Sequence, residues 1–254
     1  MGIAGIADTL REIYQRLFAA FGPQHWWPAE DPFEVIVGAI LTQSTAWSNV
    51  EKSILALKKA QRLSPAGLRI LPQSELAGLI HSSGYYNAKA AKLKAFVTWL
   101  GENYDDRLGR LFARNTAVLR RELLGIYGVG EETADSILLY AGNHPVFVID
   151  AYTRRIADRH RLRPPGGKYS DYQQLFQENL PADAGLFNEY HALLVAVGKN
   201  RCLKNNPICQ GCCLYGYPAG QEKAGPERSR LSGGNRPVDP RLGSVHPLTW
   251  SGQL

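Results

Sequence analysis

The sequence predicts an all-α protein, and three observations carry that expectation. Apolar residues recur with helical spacing: in ADSILLYA, Ala134, Ile137, Leu138 and Ala141 fall at i, i+3, i+4 and i+7, which turns one face of a helix towards a core. Residues suited to helix starts precede such runs: Ser64 before Pro65, Ser74 before Glu75, Asn115 with Thr116, and Ser170 before Asp171. Few stretches alternate as a half-buried strand would. The pattern implies ten or more helices and contains no repeat of fixed period.

The composition of the 254 residues, 44% hydrophobic, supplies one large core or two smaller ones and argues against wholesale disorder. Lys and Arg outnumber Asp and Glu by 29 to 23, and the pI of about 9.1 suits a polyanionic partner. The longest strongly apolar stretch, Val35 to Leu41, falls far short of the roughly 20 residues that a membrane-crossing helix needs. The N-terminus has no charged-then-apolar leader, and Ile6 stands where a myristoylation motif has Ser or Thr. A soluble, cytoplasmic, nucleoid-associated monomer is the expectation. The last 36 residues, from Ala219, hold six Gly, four Pro and four Ser with no apolar face, so a disordered tail is expected over 218–254, with Trp250 isolated inside it.

In GIYGVGEETADSILLYAGNHPVFVIDAYTRRI a helix ends at Gly125, turns through Gly128, Val129 and Gly130, and restarts at Glu131. Glycines permit positive φ and close approach, so the turn can offer backbone N–H groups to a phosphate oxygen, holding a nucleic acid without reading its bases. A plain helix connection is the other reading. Glu131 and Glu132 open the next helix, where acids suit the helix dipole. Twenty residues after Gly130, Asp150 follows the apolar run VFVI and opens a helix at AYTRRI, the position of an N-cap. All four cysteines, Cys202, Cys209, Cys212 and Cys213, lie within twelve residues, a spacing for a metal or cluster clip more than for disulfides.

In this order, the features resemble the helix-hairpin-helix (HhH-GPD) superfamily of DNA glycosylases, from about Trp26 to Cys212 and most specifically through LLGIYGVGEETADSILLYA and VFVIDAYTRRI. The resemblance implies two helical domains with a DNA-binding cleft between them: a six-helix barrel over 29–143 that carries the hairpin, and a discontinuous second domain from 5–28 and 144–217. It implies that Gly128, Val129 and Gly130 grip a phosphate of double-stranded DNA containing a damaged base, often through a monovalent cation. Asp150 becomes the catalytic carboxylate, stabilising an oxocarbenium-like sugar once the nucleotide has flipped out of the stack. Bifunctional relatives carry lysine at the position of Glu132. Glutamate cannot form an imine, so the implied reaction uses water and leaves an abasic site without strand cleavage.

The segment HWWPAEDPFEVIVGAILTQSTAWSNVEKS resembles, more narrowly, the 3-methyladenine DNA glycosylase III branch, where Trp26, Trp27, Pro28 and Trp47 match positions that line the base pocket. Indole faces attract a cation by roughly 0.5–2 kcal/mol, which suits an N-alkylated purine; core packing is the alternative for the tryptophans. Trp47 stands where that branch often has phenylalanine. Gln43 matches a glutamine that fills the gap left by the flipped nucleotide, or else caps a helix end. Lys89 and Lys92, three apart in SGYYNAKAAKLK, either contact phosphate or form a solvated helix face. Lys199 matches a pocket lysine able to pair with Glu132, and His191 on the same helix reads as a buried structural histidine.

Many relatives end in C-x6-C-x2-C-x5-C and bind a four-iron, four-sulfur (4Fe-4S) cluster. This chain follows the pattern through Cys202, Cys209 and Cys212, then has Pro218 in the fourth place and Cys213 beside the third. Either Cys213 supplies the last bond through a rearranged loop or the cluster is lost; zinc is disfavoured because a second tight pair is missing. The implied function is removal of alkylated purines in base excision repair. Removal of oxidised or mismatched pyrimidines and non-catalytic binding of damaged DNA are the alternatives.

Overall fold

The computed structural model describes residues 5–217, which belong to one compact unit spanning 1–221. The tail expectation, with Pro218 and Trp250, lies outside the described residues. Those residues form twelve α-helices and no strand: α1 (Ile6–Phe21), α2 (Pro32–Leu41), α3 (Trp47–Lys59), α4 (Pro65–Ile70), α5 (Gln73–Leu79), α6 (Tyr86–Tyr104), α7 (Leu108–Phe112), α8 (Thr116–Leu124), α9 (Glu131–Ser136), α10 (Ala151–Arg159), α11 (Tyr169–Asn179) and α12 (Ala184–Asn200). Among them no helix is long and apolar enough to cross a membrane.

The caps follow the sequence in part. Ser64 Oγ accepts from the Gly67 N–H at 3.0 Å and Asn115 Oδ1 from the Ala117 N–H at 3.0 Å, satisfying donors that a first turn leaves open. Two starts move. Pro72 already holds φ at −56°, so α5 begins at Gln73, ahead of Ser74. Helix α11 begins at Tyr169, and Asp171 reaches back to accept from the Lys168 N–H at 2.8 Å.

Buried apolar side chains form two clusters. One gathers residues from Phe33 of α2 to Val146; the other joins Leu10, Ile13 and Leu17 of α1 to residues from Leu139 to Leu214. The helix expected to bury one face buries every residue from Thr133 to Leu139. It lies against both clusters, Ile137 and Leu138 in the first and Leu139 in the second. After Ser136 it widens into a π turn over Ile137–Ala141, closed by the Gly142 N–H on the Ile137 carbonyl at 3.1 Å.

Such a helix brings a carboxylate inside. Asp135 is fully buried and takes a bidentate pair from Arg120 of α8, at 2.7 and 3.0 Å. Gln173 Nε2 of α11 donates to the same carboxylate at 2.7 Å and to the Phe147 carbonyl at 2.8 Å. Segment 145–150 lacks strand neighbours, so its buried peptide groups need other partners. Helix α11 supplies them from one stripe: Gln177 Oε1 accepts from the Phe147 N–H at 2.9 Å, and the Tyr169 hydroxyl accepts from the Ile149 N–H at 3.2 Å and bonds Asp135. Tyr169, Gln173 and Gln177 stand four apart, the spacing of one helix face.

Lys89 departs from its expected place. It is 2% exposed, neither on a solvated face nor available to phosphate. Its Nζ donates to the Leu41 carbonyl at 2.8 Å, to Thr45 Oγ1 at 2.6 Å and to the Ser83 carbonyl at 2.6 Å, tying the end of α2 and the loop after it to α6. Burial, helped by the neighbouring Lys92 charge, brings its pKa down to about 8. The apolar environment makes ammonium burial costly, and three oxygens offset that cost.

Removing one member of a buried ion pair strands the other, typically at about 3–5 kcal/mol. Asp135→Ala should therefore lower the free energy of unfolding by about that amount in urea titration, whereas Glu131→Ala, whose carboxylate stands 3.6 Å from Arg120 and is half exposed, should change it by less than about 1 kcal/mol.

Candidate active site

Segment 145–150, pinned by α11, delivers Asp150 to the wall of a cavity of about 770 Å³. Asp150 is also the N-cap of α10, its Oδ1 accepting from the Thr153 N–H at 2.7 Å. That bond leaves Oδ2 directed elsewhere. His191 Nε2 lies 3.7 Å from it, and His191 Nδ1 is hydrogen-bonded to the Tyr140 hydroxyl at 2.5 Å.

Trp26, Trp27 and Trp47 all line the cavity and touch one another, with ring centroids 5.0, 5.1 and 5.2 Å apart; Tyr140 joins them at 5.3 Å from Trp27. Gly38 of α2 makes room for this cage, since a Cβ there would stand 3.1 Å from the Trp27 indole. Trp27 and Trp47 also pack on the first apolar cluster, so they serve both core and cavity. Pro28 does not line the cavity: it is exposed, because the chain turns outwards after Trp27 towards the start of α2.

Glu132 also faces the cavity. Desolvation by the walls, and then the Asp150 carboxylate, push its pKa up to about 7, with Arg154 opposing. Lys199 lines the same cavity, but no ion pair joins it to Glu132 among the described residues. His191 is buried, and desolvation holds its pKa below the usual imidazole value against the pull of Asp150. Burial raises the Tyr140 phenol well above its ordinary value, Asp150 and Glu189 adding to the effect.

The hairpin is built as expected in outline and differently in detail. Gly128 has φ +81°, and a Cβ there would fall 2.3 Å from Lys92 Cγ, so both conformation and contact demand glycine. Gly130 is extended at φ −93° with open space around it. Val129 does not turn towards a ligand: its side chain is 5% exposed in the first cluster and its N–H donates to the Ile126 carbonyl at 3.1 Å. An apolar side chain between two glycines anchors the turn in the core. Gln43 lies under the hairpin with its amide engaged, Nε2 donating to the Gly128 carbonyl at 3.1 Å and to Thr133 Oγ1 at 2.9 Å, Oε1 accepting from Lys92 Nζ. Lys92 is thus half buried against the hairpin rather than on an open helix face.

The thiols are neighbours: the Cys209 thiol is pushed up by burial and by the nearby Cys212 and Cys202. Among the described residues no group of three or more His, Cys, Asp or Glu side chains could hold a metal ion. Cys212 and Cys213 hydrogen-bond each other, and Cys202 Sγ accepts from Arg159 Nη1 at 3.1 Å, while Cys209 is exposed. Cys202, Cys209 and Cys212 are the residues that would hold a cluster, with Cys213 beside them, and the fourth family position, Pro218, lies outside the described residues.

Sequence reading missed Tyr140 as a wall residue and assigned His191 to structure alone. Spacing held the signal in both cases. Glu132, Ser136 and Tyr140 stand four apart, as do His191, Val195 and Lys199, and all six line the cavity. Tyr152, Arg154 and Tyr169 complete the wall.

A "Putative DNA repair glycosylase" of Methanocaldococcus jannaschii is 42% identical over 206 residues, covering 81% of this chain and 93% of that protein. Endonuclease III of Thermotoga maritima is 29% identical over 215 residues, 84% of this chain and 91% of the relative. The H. pylori 3-methyladenine DNA glycosylase bound to 1,N6-ethenoadenine superposes with a TM-score of 0.65 at 25% identity, over 77% of this chain and 98% of that one. The sequence profile of the HhH-GPD superfamily base excision DNA repair proteins matches residues 37–182. With the hairpin and Asp150 both inside that matched region, the chain belongs to the HhH-GPD superfamily of base excision DNA repair proteins.

Proposed function

We propose that the protein is a monofunctional DNA N-glycosylase that flips alkylated purines of the 3-methyladenine type from duplex DNA and excises them with water. The observation that carries this reading is the cage of Trp26, Trp27 and Trp47 above a cavity whose acidic side holds Asp150 and Glu132. Three indoles suit a flat, cationic guest, and the cavity of about 770 Å³ has room for an extruded nucleotide. The likeness to the H. pylori 3-methyladenine enzyme supports the same choice.

An N-alkylated purine already carries positive charge, so the C1′–N bond pair can leave with the base and neutralise it. The sugar then bears the positive charge, and the Asp150 carboxylate stabilises it. Water adds its oxygen to C1′ and loses a proton to Asp150, leaving an abasic site. The first turn of α9 and the hairpin hold a phosphate on one side of the cavity, without base contacts.

Base release from a panel of damaged duplexes tests the reading. Wild-type protein should release alkylated purines in preference to thymine glycol or the thymine of G·T pairs, the second reading that the endonuclease III likeness keeps in play. Asp150→Asn should lower the single-turnover rate by about 10²-fold or more. Borohydride present during turnover should trap no covalent protein–DNA adduct. An adduct that disappears in Lys199→Ala would assign amine attack to Lys199 and sink the hydrolytic mechanism.

Glu132 adds a pH signature. With its pKa raised to about 7, it is neutral below that pH and anionic above. Attraction for a cationic base should therefore strengthen as pH rises through 7. Glu132→Gln should flatten this rise in kcat/KM for an alkylated purine, and a variant that keeps the full rise would remove Glu132 from base binding.

A further inference from the structure

His191 Nε2 is a buried polar atom without a hydrogen-bond partner, on a side chain only 8% exposed, aimed at the one carboxylate oxygen of Asp150 that the N-cap bond does not use. A donor or acceptor stranded in this way is ordinarily destabilising, so its orientation calls for a reason. The ring is held in place at its other nitrogen by the Tyr140 hydroxyl. Tyr140 is in turn placed by the π turn and packed on Trp27.

We propose that the Tyr140–His191 pair positions the catalytic carboxylate, His191 presenting an Nε2–H to Asp150 Oδ2 while Tyr140 donates its proton to Nδ1 and so fixes the tautomer. The inference rests on the glycosylase reading for the role of Asp150. Its physical basis is independent. A phenol O–H pointed at Nδ1 leaves the imidazole's own proton on Nε2, and a carboxylate oxygen 3.7 Å away is the group that such a proton faces. The scheme requires Asp150 Oδ2 to move from 3.7 Å into hydrogen-bonding range of Nε2. With Oδ1 taken by the Thr153 N–H and Oδ2 by His191, neither oxygen can swing away from the sugar. The neutral imidazole, favoured by burial, leaves the negative charge of Asp150 uncancelled. His191 touches no reacting atom in this scheme; it acts through Asp150.

The test compares His191→Phe with His191→Gln, whose amide N–H can take the place of Nε2–H, and adds Tyr140→Phe. In single-turnover base release from a duplex with one alkylated purine, His191→Phe should lose about 10- to 100-fold, His191→Gln should regain most of that loss, and Tyr140→Phe should fall between them. Duplex affinity should change less than about two-fold throughout. Wild-type rates in His191→Phe, or equal losses in His191→Phe and His191→Gln, would overturn the positioning role while leaving the glycosylase reading in place. If the wild-type protein releases no base at all, the glycosylase reading fails instead. Nitrogen-15 spectra of the histidines then decide the geometry, a proton on Nε2 of His191 supporting the pair and a proton on Nδ1 overturning it.

Discussion

The buried carboxylate of Asp135 is the constraint from which the site is built. It sits on the helix that follows the hairpin, is clamped by Arg120 from α8, and accepts from Gln173, which also bonds the backbone of the segment leading to Asp150. One residue therefore links the hairpin, α8 and the segment that leads to Asp150. Such a centre tolerates little partial satisfaction, because an unpaired ion in an apolar interior costs more than the pair contributes. The tolerance for displacing the hairpin relative to Asp150 is correspondingly narrow.

The same economy of parts appears in segment 145–150. An extended apolar run normally finds its hydrogen bonds in a sheet, yet among the described residues there is no strand for it to join. Side chains of α11 at spacing four act as the missing ladder. They hold Phe147 and Ile149 rigidly enough that the next residue, Asp150, can begin α10 and face the cavity at once. Placing the carboxylate at a helix N-cap also fixes its direction, Oδ1 being held by the Thr153 N–H.

On the opposite wall, packing and chemistry share residues. Trp27 rests on Gly38 and the first apolar cluster while one edge joins the cage, and Lys92 passes beneath Gly128 to reach Gln43. The loop that bears Gln43 is itself held by the buried Lys89 ammonium. Residues that looked like independent DNA contacts thus form a mutually bonded support for the hairpin. Electrostatically the cavity concentrates acid, desolvation and then the Asp150 carboxylate raising the pKa of Glu132.

By itself the sequence determined the helical class, most helix starts, the hairpin, the aspartate at the head of α10 and the tryptophans beside the cavity, because each is written in local spacing, capping chemistry or a short contiguous motif. Tertiary structure decided the rest. Lys89 and Lys92 share a helix face with solvated lysines in the one-dimensional view, and only the loop folded over α6 buries the first and bonds the second. Val129 sits in the hairpin motif, but the core beneath it takes its side chain. Pro28 continues the aromatic run in the chain and leaves the cavity in space. His191 and Tyr140 lie 51 residues apart and meet only when α12 packs on the π turn. Likewise, no local pattern pairs Asp135 with Arg120 and Gln173. Contacts between distant residues depend on how helices pack, and the periodicity of one helix shows which face is buried without showing what it meets.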